Sequence, residues 1–292
     1  MARNRKYRIG YVGMIHLSAN YFATMTAVGM KRALKEYRDR GLELVIRESD
    51  FRNPELQIKH MDELYNLGIR NFIVSVSEGD VIKEKVNELR SKGCTVVYLS
   101  RYVEEEKRIF IGPDYIQSGR IAGELMGKFL SGGGKILILL NNDVESDIAV
   151  KGRYEGFVQE INLFSKIGIL AVKDSINTEQ EAILCVKKYL KKYPDLAGIY
   201  DVSYKLTTVA ETITECSRKK ICLVGFDYYD EVIPYIKNST VDAVVSQDLV
   251  YQAYKAVKIV FEQMCYGRKI PYGDQYAKLD IVMATNVDYC TN

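Results

Sequence analysis

The 292-residue chain has no tryptophan, two histidines and five prolines. Its six cysteines (Cys94, Cys185, Cys216, Cys222, Cys265 and Cys290) form no C-x-x-C pair, and only His16 and His60 could join them as imidazole ligands. No zinc site is expected from that spacing. Six thiols without a framework pattern favour a reducing compartment, hence a cytoplasmic location. No apolar run approaches the roughly 18 residues that a membrane span needs. The basic start, Met1 to Arg8, leads directly into a strand pattern without the apolar stretch of a signal peptide. Neither G-x-S-x-G nor H-E-x-x-H occurs, and the carboxylates form no obvious pair around a water. Ser131-Gly132-Gly133-Gly134 is the strongest turn signal, but Lys135 and a strand follow it, which excludes a phosphate-binding P-loop. A formal net charge of +3 is too small to imply a nucleic-acid groove. No enzyme activity, cofactor, metal or membrane partner is therefore expected.

What is present is a regular alternation. Hydrophobic residues make up 47% of the chain, ample for a core. Short β-branched runs alternate with longer amphipathic ones. Ten strands are expected, at Tyr7–Val12, Glu43–Arg47, Asn71–Val76, Thr95–Ser100, Ile109–Ile111, Lys135–Leu140, Ile167–Val172, Ala197–Tyr200, Ile221–Phe226 and Asp242–Ser246. The intervening segments read as helices, among them Tyr21–Arg40, Asp80–Lys92, Ala149–Ile161 and Asp230–Lys237. Strands separated by helices of this length give βαβ units and parallel sheets. Ten strands exceed one comfortable open sheet, so the chain reads as two similar α/β halves, the second beginning near Pro113–Asp114.

Two apolar runs end on polar residues, Val224-Gly225-Phe226-Asp227 and Val244-Val245-Ser246-Gln247-Asp248. In an open α/β sheet, ligands bind where strands end. The Asp can accept two hydroxyls, and the Gln can donate and accept. That chemistry suits a small polyhydroxylated ligand.

The order of motifs resembles the effector-binding region of the lactose-repressor-like (LacI/GalR) transcription regulators, and equally the class I periplasmic sugar-binding proteins. The resemblance rests on Arg8-Ile9-Gly10-Tyr11-Val12 with Asn20-Tyr21-Phe22-Ala23, on Val97-Tyr98-Leu99-Ser100-Arg101, and on Ile111-Gly112-Pro113-Asp114-Tyr115 with Gly119-Arg120-Ile121-Ala122-Gly123. Arg153-Tyr154-Glu155-Gly156-Phe157 and the two strand ends above complete it. It implies two Rossmann-like lobes with parallel sheets joined by three crossovers and a ligand in the cleft between them. The lobes would be 1–113 plus 249–276, and 114–248 plus 277–292. It places Tyr21, Phe22 and Arg101 of the first lobe, and Arg153, Ser203, Asp227 and Gln247 of the second, against the ligand. It also implies a homodimer that meets DNA only through a helix-turn-helix absent from this chain; the basic Ala2 to Lys6 reads either as the remains of a linker or as an ordinary solvated terminus.

Each site residue also has a plainer role. Tyr21 or Phe22 can be core packing, since adjacent helical residues diverge by about 100°. Arg101 and Arg153 can be surface charges. His60, between Lys59 and Met61 in a helix, reads as part of a solvated face; His16 borders the cleft at most. Ser100 stands where the family usually has Asp, and Ser203-Tyr204 where it commonly has Asn-Asp, with Asp201 nearby as a substitute. Two arginines and the missing Asp leave two ligands open: an acidic or phosphorylated sugar, or a neutral sugar with the arginines paired to Asp227 or Asp114. Two roles follow. The first is the sensor half of a cytoplasmic regulator that binds a sugar-like effector. The second is an extracytoplasmic sugar-binding protein of a transporter or a receptor sensor. Ile281 to Tyr289, similar to the closing strand of ribose-type binders, supports the second.

Overall fold

The computed structural model describes residues 6–15, 20–50, 53–77 and 81–290. His16 and the expected helix start at Asp80 lie outside the described residues. The chain divides into two compact units. One comprises Met1–Pro113 and Asp248–Lys278, the other Asp114–Gln247 and Leu279–Thr291.

In the first unit the strands are β1 (Tyr7–Ile15), β2 (Leu42–Asp50), β3 (Asn71–Val74), β4 (Thr95–Leu99), β5 (Ile109–Gly112) and β11 (Gly273–Tyr276). They form one parallel sheet in the order β11-β5-β4-β3-β1-β2. The helices are α1 (Asn20–Tyr37), α2 (Pro54–Asn66), α3 (Val81–Ser91) and α9 (Leu249–Tyr266). Ile9, Tyr11, Ile73, Val97, Leu99 and Ile111 bury one face of the sheet against Met30 and Ala33 of α1 and Val257, Val260 and Phe261 of α9.

The second unit holds β6 (Gly134–Leu140), β7 (Ile167–Lys173), β8 (Leu196–Val202), β9 (Cys222–Phe226), β10 (Ala243–Ser246) and β12 (Asp280–Val282). Their order is β12-β10-β9-β8-β6-β7, parallel except for β12, which runs antiparallel to β10. The helices are α4 (Tyr115–Phe129), α5 (Ile148–Ile161), α6 (Glu179–Lys192), α7 (Leu206–Cys216) and α8 (Ile233–Lys237). Strand β6 shows why this sheet is covered on both faces. Ile136, Ile138 and Leu140 pack toward α4 and α5, while Leu137 and Leu139 pack toward α6 and α7. All five are fully buried, as a period of two with no polar position requires.

Strand β11 was not expected from the sequence, and β12 overlaps only the start of Ile281 to Tyr289, the segment that resembles a closing strand. Both are short and lie at sheet edges, with polar or exposed residues such as Asp274 and Tyr276. The expected helix at Asp230–Lys237 shrinks to five residues, with Pro234 in its first turn. His60 is half-buried rather than solvated, and its Nδ1 is buried without a hydrogen-bond partner.

Candidate functional site

Four adjacent parallel strands of the second unit end on polar residues. Gln247 follows β10, Asp227 follows β9, Asp201 with Ser203 and Tyr204 closes β8, and Asn141 follows β6. Parallel strands put all of these at one edge of the sheet, its carboxyl edge. All but Tyr204 are buried.

The backbone aims these side chains. Asp227 adopts the left-handed conformation (φ 59°), which turns the chain sharply as it leaves β9, and its N–H donates to Val245 O at 3.0 Å. Its carboxylate then receives the Gln247 amide, Nε2 lying 2.8 Å from Oδ2 and 3.1 Å from Oδ1. Burial pushes the Asp227 carboxyl up from its ordinary value, though the Arg153 charge and the Gln247 hydrogen bond pull against it.

Arg153 arrives from α5. Asp147 starts that helix by accepting from the N–H groups of Ala149 and Val150. Glycines then set its depth: a Cβ on Gly119 of α4 would lie 2.2 Å from Arg153 O, and one on Gly156 would lie 2.0 Å from Ile116 O. Only glycine permits this approach. The Arg153 carbonyl also accepts from the Tyr200 hydroxyl at 3.3 Å. The side chain is 2% exposed, among the largest fully buried ones in the protein, so it is not the exposed helix charge of the plainer sequence reading. Its Nη1 donates to the Tyr204 hydroxyl at 3.0 Å, and its Nη2 makes a long bond to Gln247 Oε1 at 3.4 Å. The guanidinium lies 4.3 Å from the centre of the Phe226 ring, a cation–π distance. Burial works against its charge, but Tyr204 and Asp227 outweigh it, and the proton is held above the ordinary arginine value. Arg153 reaches Asp227 through Gln247, and Asp114 instead caps α4 by accepting from Gln117 N–H.

The β8 end is organised around Asp201. Its Oδ1 accepts from Ser203 N–H at 3.1 Å and from the Ser203 hydroxyl at 2.5 Å. Burial raises the Asp201 pKa to about 6 against those stabilising bonds. Lys205, also buried, has its pKa lowered by burial, with Asp201, Glu179 and Glu181 resisting. The Ser203 hydroxyl, a sequence-expected ligand contact, thus spends its proton on Asp201.

The remaining expected residues belong to the first unit. Tyr21 and Phe22 open α1, and both are half-buried, so neither is wholly committed to the core. Arg101 follows β4 and is half-buried, its N–H bonded to Leu99 O at 2.7 Å. Ser100 before it has φ 61° and donates to Gln252 Oε1 at 2.6 Å.

A family model for the periplasmic binding protein domain matches residues 11–269. The chain belongs to the periplasmic binding protein domain family. The ribose import binding protein RbsB of Haemophilus influenzae is 22% identical over 228 residues, which is 78% of this chain and 75% of that protein. A periplasmic solute-binding protein of an ABC transporter from Actinobacillus succinogenes, solved with bound D-allose, superposes with a TM-score of 0.86 at 15% identity. That match covers 97% of this chain and all of the other. A putative LacI transcriptional regulator from Bacteroides fragilis gives 0.84 at 17% identity over 98% of this chain and all of the other. At these identities the structures share the fold.

In this periplasmic binding protein domain the carboxyl edge alternates acceptors and donors: Asp227, Gln247, Arg153, Tyr204. Such a row can hold several hydroxyls at once, each by one or two bonds. Two members were not foreseen as contacts. Tyr204 is the partner of Arg153, although the sequence singled out its neighbour Ser203. Asn141 has a buried Oδ1 without a partner, as has Arg153 at Nε. The sequence signal for Asn141 was present, a polar pair Asn141-Asn142 closing five apolar strand residues.

Proposed function

We propose that this chain is a reversible sugar-binding protein in which the carboxyl edge of the second unit's sheet grips hydroxyls of a ribose-type sugar. The observation that carries the reading is the connected set Asp227–Gln247–Arg153, three buried polar side chains bonded in a row, two of them at adjacent strand ends and the third from α5. Buried polar groups of this kind are costly unless they serve each other or a ligand. Tyr21, Phe22 and Arg101 are proposed as contacts from the first unit. Nothing in the set calls for a bond-making step. The relative named for ribose import and the neighbour holding D-allose favour the transporter or receptor role over the regulator. Isothermal titration of the protein with D-ribose, D-allose, D-arabinose and D-glucose tests this. Saturable binding of at least one pentose or hexose is expected, and no heat from any of them overturns it.

One observation keeps the regulator as a second reading. All six cysteines are free, which suits a reducing cytoplasm. That reading retains the homodimer and a DNA-binding segment supplied elsewhere. Fractionation of the source cells separates the two roles: recovery outside the cytoplasmic membrane supports the transporter or receptor, and recovery with soluble cytoplasmic protein supports the regulator.

A further inference from the structure

Strand β4 does not simply run out into Arg101. The Arg101 N–H donates back to Leu99 O at 2.7 Å, two residues earlier, with Ser100 between them in the left-handed region (φ 61°). That is a γ-turn of the positive-φ kind, which is rare and strained. A strand that continued would keep sending side chains alternately to the two faces of the sheet. The turn ends that alternation at Ser100 and takes Arg101 out of the line of β4. Such strain persists only where the surroundings impose it. Two contacts do so here. The Ser100 N–H donates to Ile111 O of β5 at 2.8 Å, and the Ser100 hydroxyl donates to Gln252 Oε1 at 2.6 Å. Ser100 is 4% exposed and Gln252 is fully buried. The acceptor is itself held firmly by α9. Asp248 caps that helix by accepting from Tyr251 N–H at 2.9 Å, and Ala253, Ala256 and Val257 pack into the core of the first unit. A buried amide among such neighbours is costly unless it satisfies a partner, and Ser100 is that partner.

We infer that Gln252 is a positioning residue for sugar binding: from α9 it holds the strained turn at Ser100, and that turn presents Arg101 to the ligand. The inference rests on the sugar-binding reading above, with Arg101 as a contact from the first unit. It adds the residue that keeps this contact in place before the ligand arrives.

The test is titration calorimetry with whichever of D-ribose, D-allose, D-arabinose and D-glucose the wild type binds most tightly. Four proteins are compared: the wild type, Gln252→Met, Arg101→Ala and the double variant. Methionine fills a similar space but offers the Ser100 hydroxyl no comparable acceptor. Gln252→Met should weaken that sugar by about tenfold, and Arg101→Ala by at least as much, the worth of one hydrogen bond from a charged donor. The double variant should bind no more weakly than Arg101→Ala alone, because the turn then has no contact left to present. A merely structural Gln252 would repeat its full loss in the Arg101→Ala background, which overturns the inference while the sugar-binding reading stands. Gln252→Met or Arg101→Ala binding as tightly as the wild type overturns it in the same way. A wild type that binds none of the four sugars overturns both. Ser100→Gly takes the left-handed conformation freely and leaves no buried hydroxyl unpaired. It should show a similar loss, cancelled likewise by Arg101→Ala, and it carries the test should Gln252→Met fold poorly.

Discussion

At the residue scale, burial decides what each polar group is worth. Arg153 is so completely buried that its truncation combines two losses. Arg153→Ala removes ligand contacts and also opens space against Phe226, a cavity that costs on the order of 2–4 kcal/mol. Arg153→Met refills that volume and separates the two effects. It should keep most of the unliganded stability while sugar affinity falls roughly ten- to a hundredfold. Calorimetry and thermal melts on the two variants check this, and equal destabilisation by both would mean that the charge itself supports the fold. Asp201 gives a second handle. Its folded pKa of about 6 exceeds its ordinary value of 3.8 because burial disfavours the charge. The folded chain thus holds this proton more tightly than the unfolded one. The stabilisation is complete below about pH 4 and is lost as pH rises through about 6. Two pKa units correspond to an effect on the order of 3 kcal/mol. Asp201→Asn removes it, so the variant should gain on the wild type between pH 4 and pH 7 in denaturant melts. A stability difference independent of pH would show that Asp201 titrates normally.

At the element scale, long periodic segments were legible and short ones were not. Strand β6 announced itself because five consecutive apolar residues allow only a sheet covered on both faces. Helix α5 was legible from Phe157 and its flanks. That its Arg153 points inward was expected only from the resemblance, and the depth at which it lies, set by Gly119 and Gly156 where α4 and α5 meet, is not carried by the linear pattern. Strand β11 carries little apolar signal, and what holds it is tertiary; β12 was legible only through the resemblance of Ile281 to Tyr289 to a closing strand. Arg108 clamps Asp274 of β11 by two bonds of 2.7 Å. The candidate site was legible as strand-end positions, Asp227 and Gln247. The bridging of Asp227 and Arg153 by Gln247, and the part played by Tyr204, depend on φ angles and side-chain reach that a linear pattern does not carry. The glycine contact yields an element-scale prediction. Gly119→Ala would put a Cβ 2.2 Å from Arg153 O, so α5 must shift. The variant should fold with reduced stability, by roughly 1–3 kcal/mol, and its sugar affinity should drop although residue 119 touches no ligand. Unchanged affinity in a folded Gly119→Ala protein would show that the depth of α5 does not position Arg153.

At the scale of the whole molecule, two units with separate cores invite separate reporters. Cys94 lies in the first unit and Cys222 in the second, and both are buried. Burial raises both thiols above their ordinary value, so neither reacts as a thiolate until its surroundings open. Cys216 is exposed and should be labelled at once by a thiol reagent. The slower labelling of Cys222 then measures opening of the unit that carries Arg153, Asp227 and Gln247. A ligand that binds only the folded form stabilises it by about 2.7 kcal/mol at a hundred times its Kd. Where labelling follows the equilibrium population of the open state, that corresponds to slowing by about a hundredfold. Mass spectrometry of the labelled protein, with and without saturating D-ribose, should find Cys222 protected to that degree while Cys216 reacts at an unchanged rate. Arg153→Met at the same sugar concentration should lose most of the protection. If D-ribose binds and yet leaves Cys222 labelling as fast as before, the sugar does not draw on the second unit's folded state, and the assignment of its carboxyl edge as the site fails.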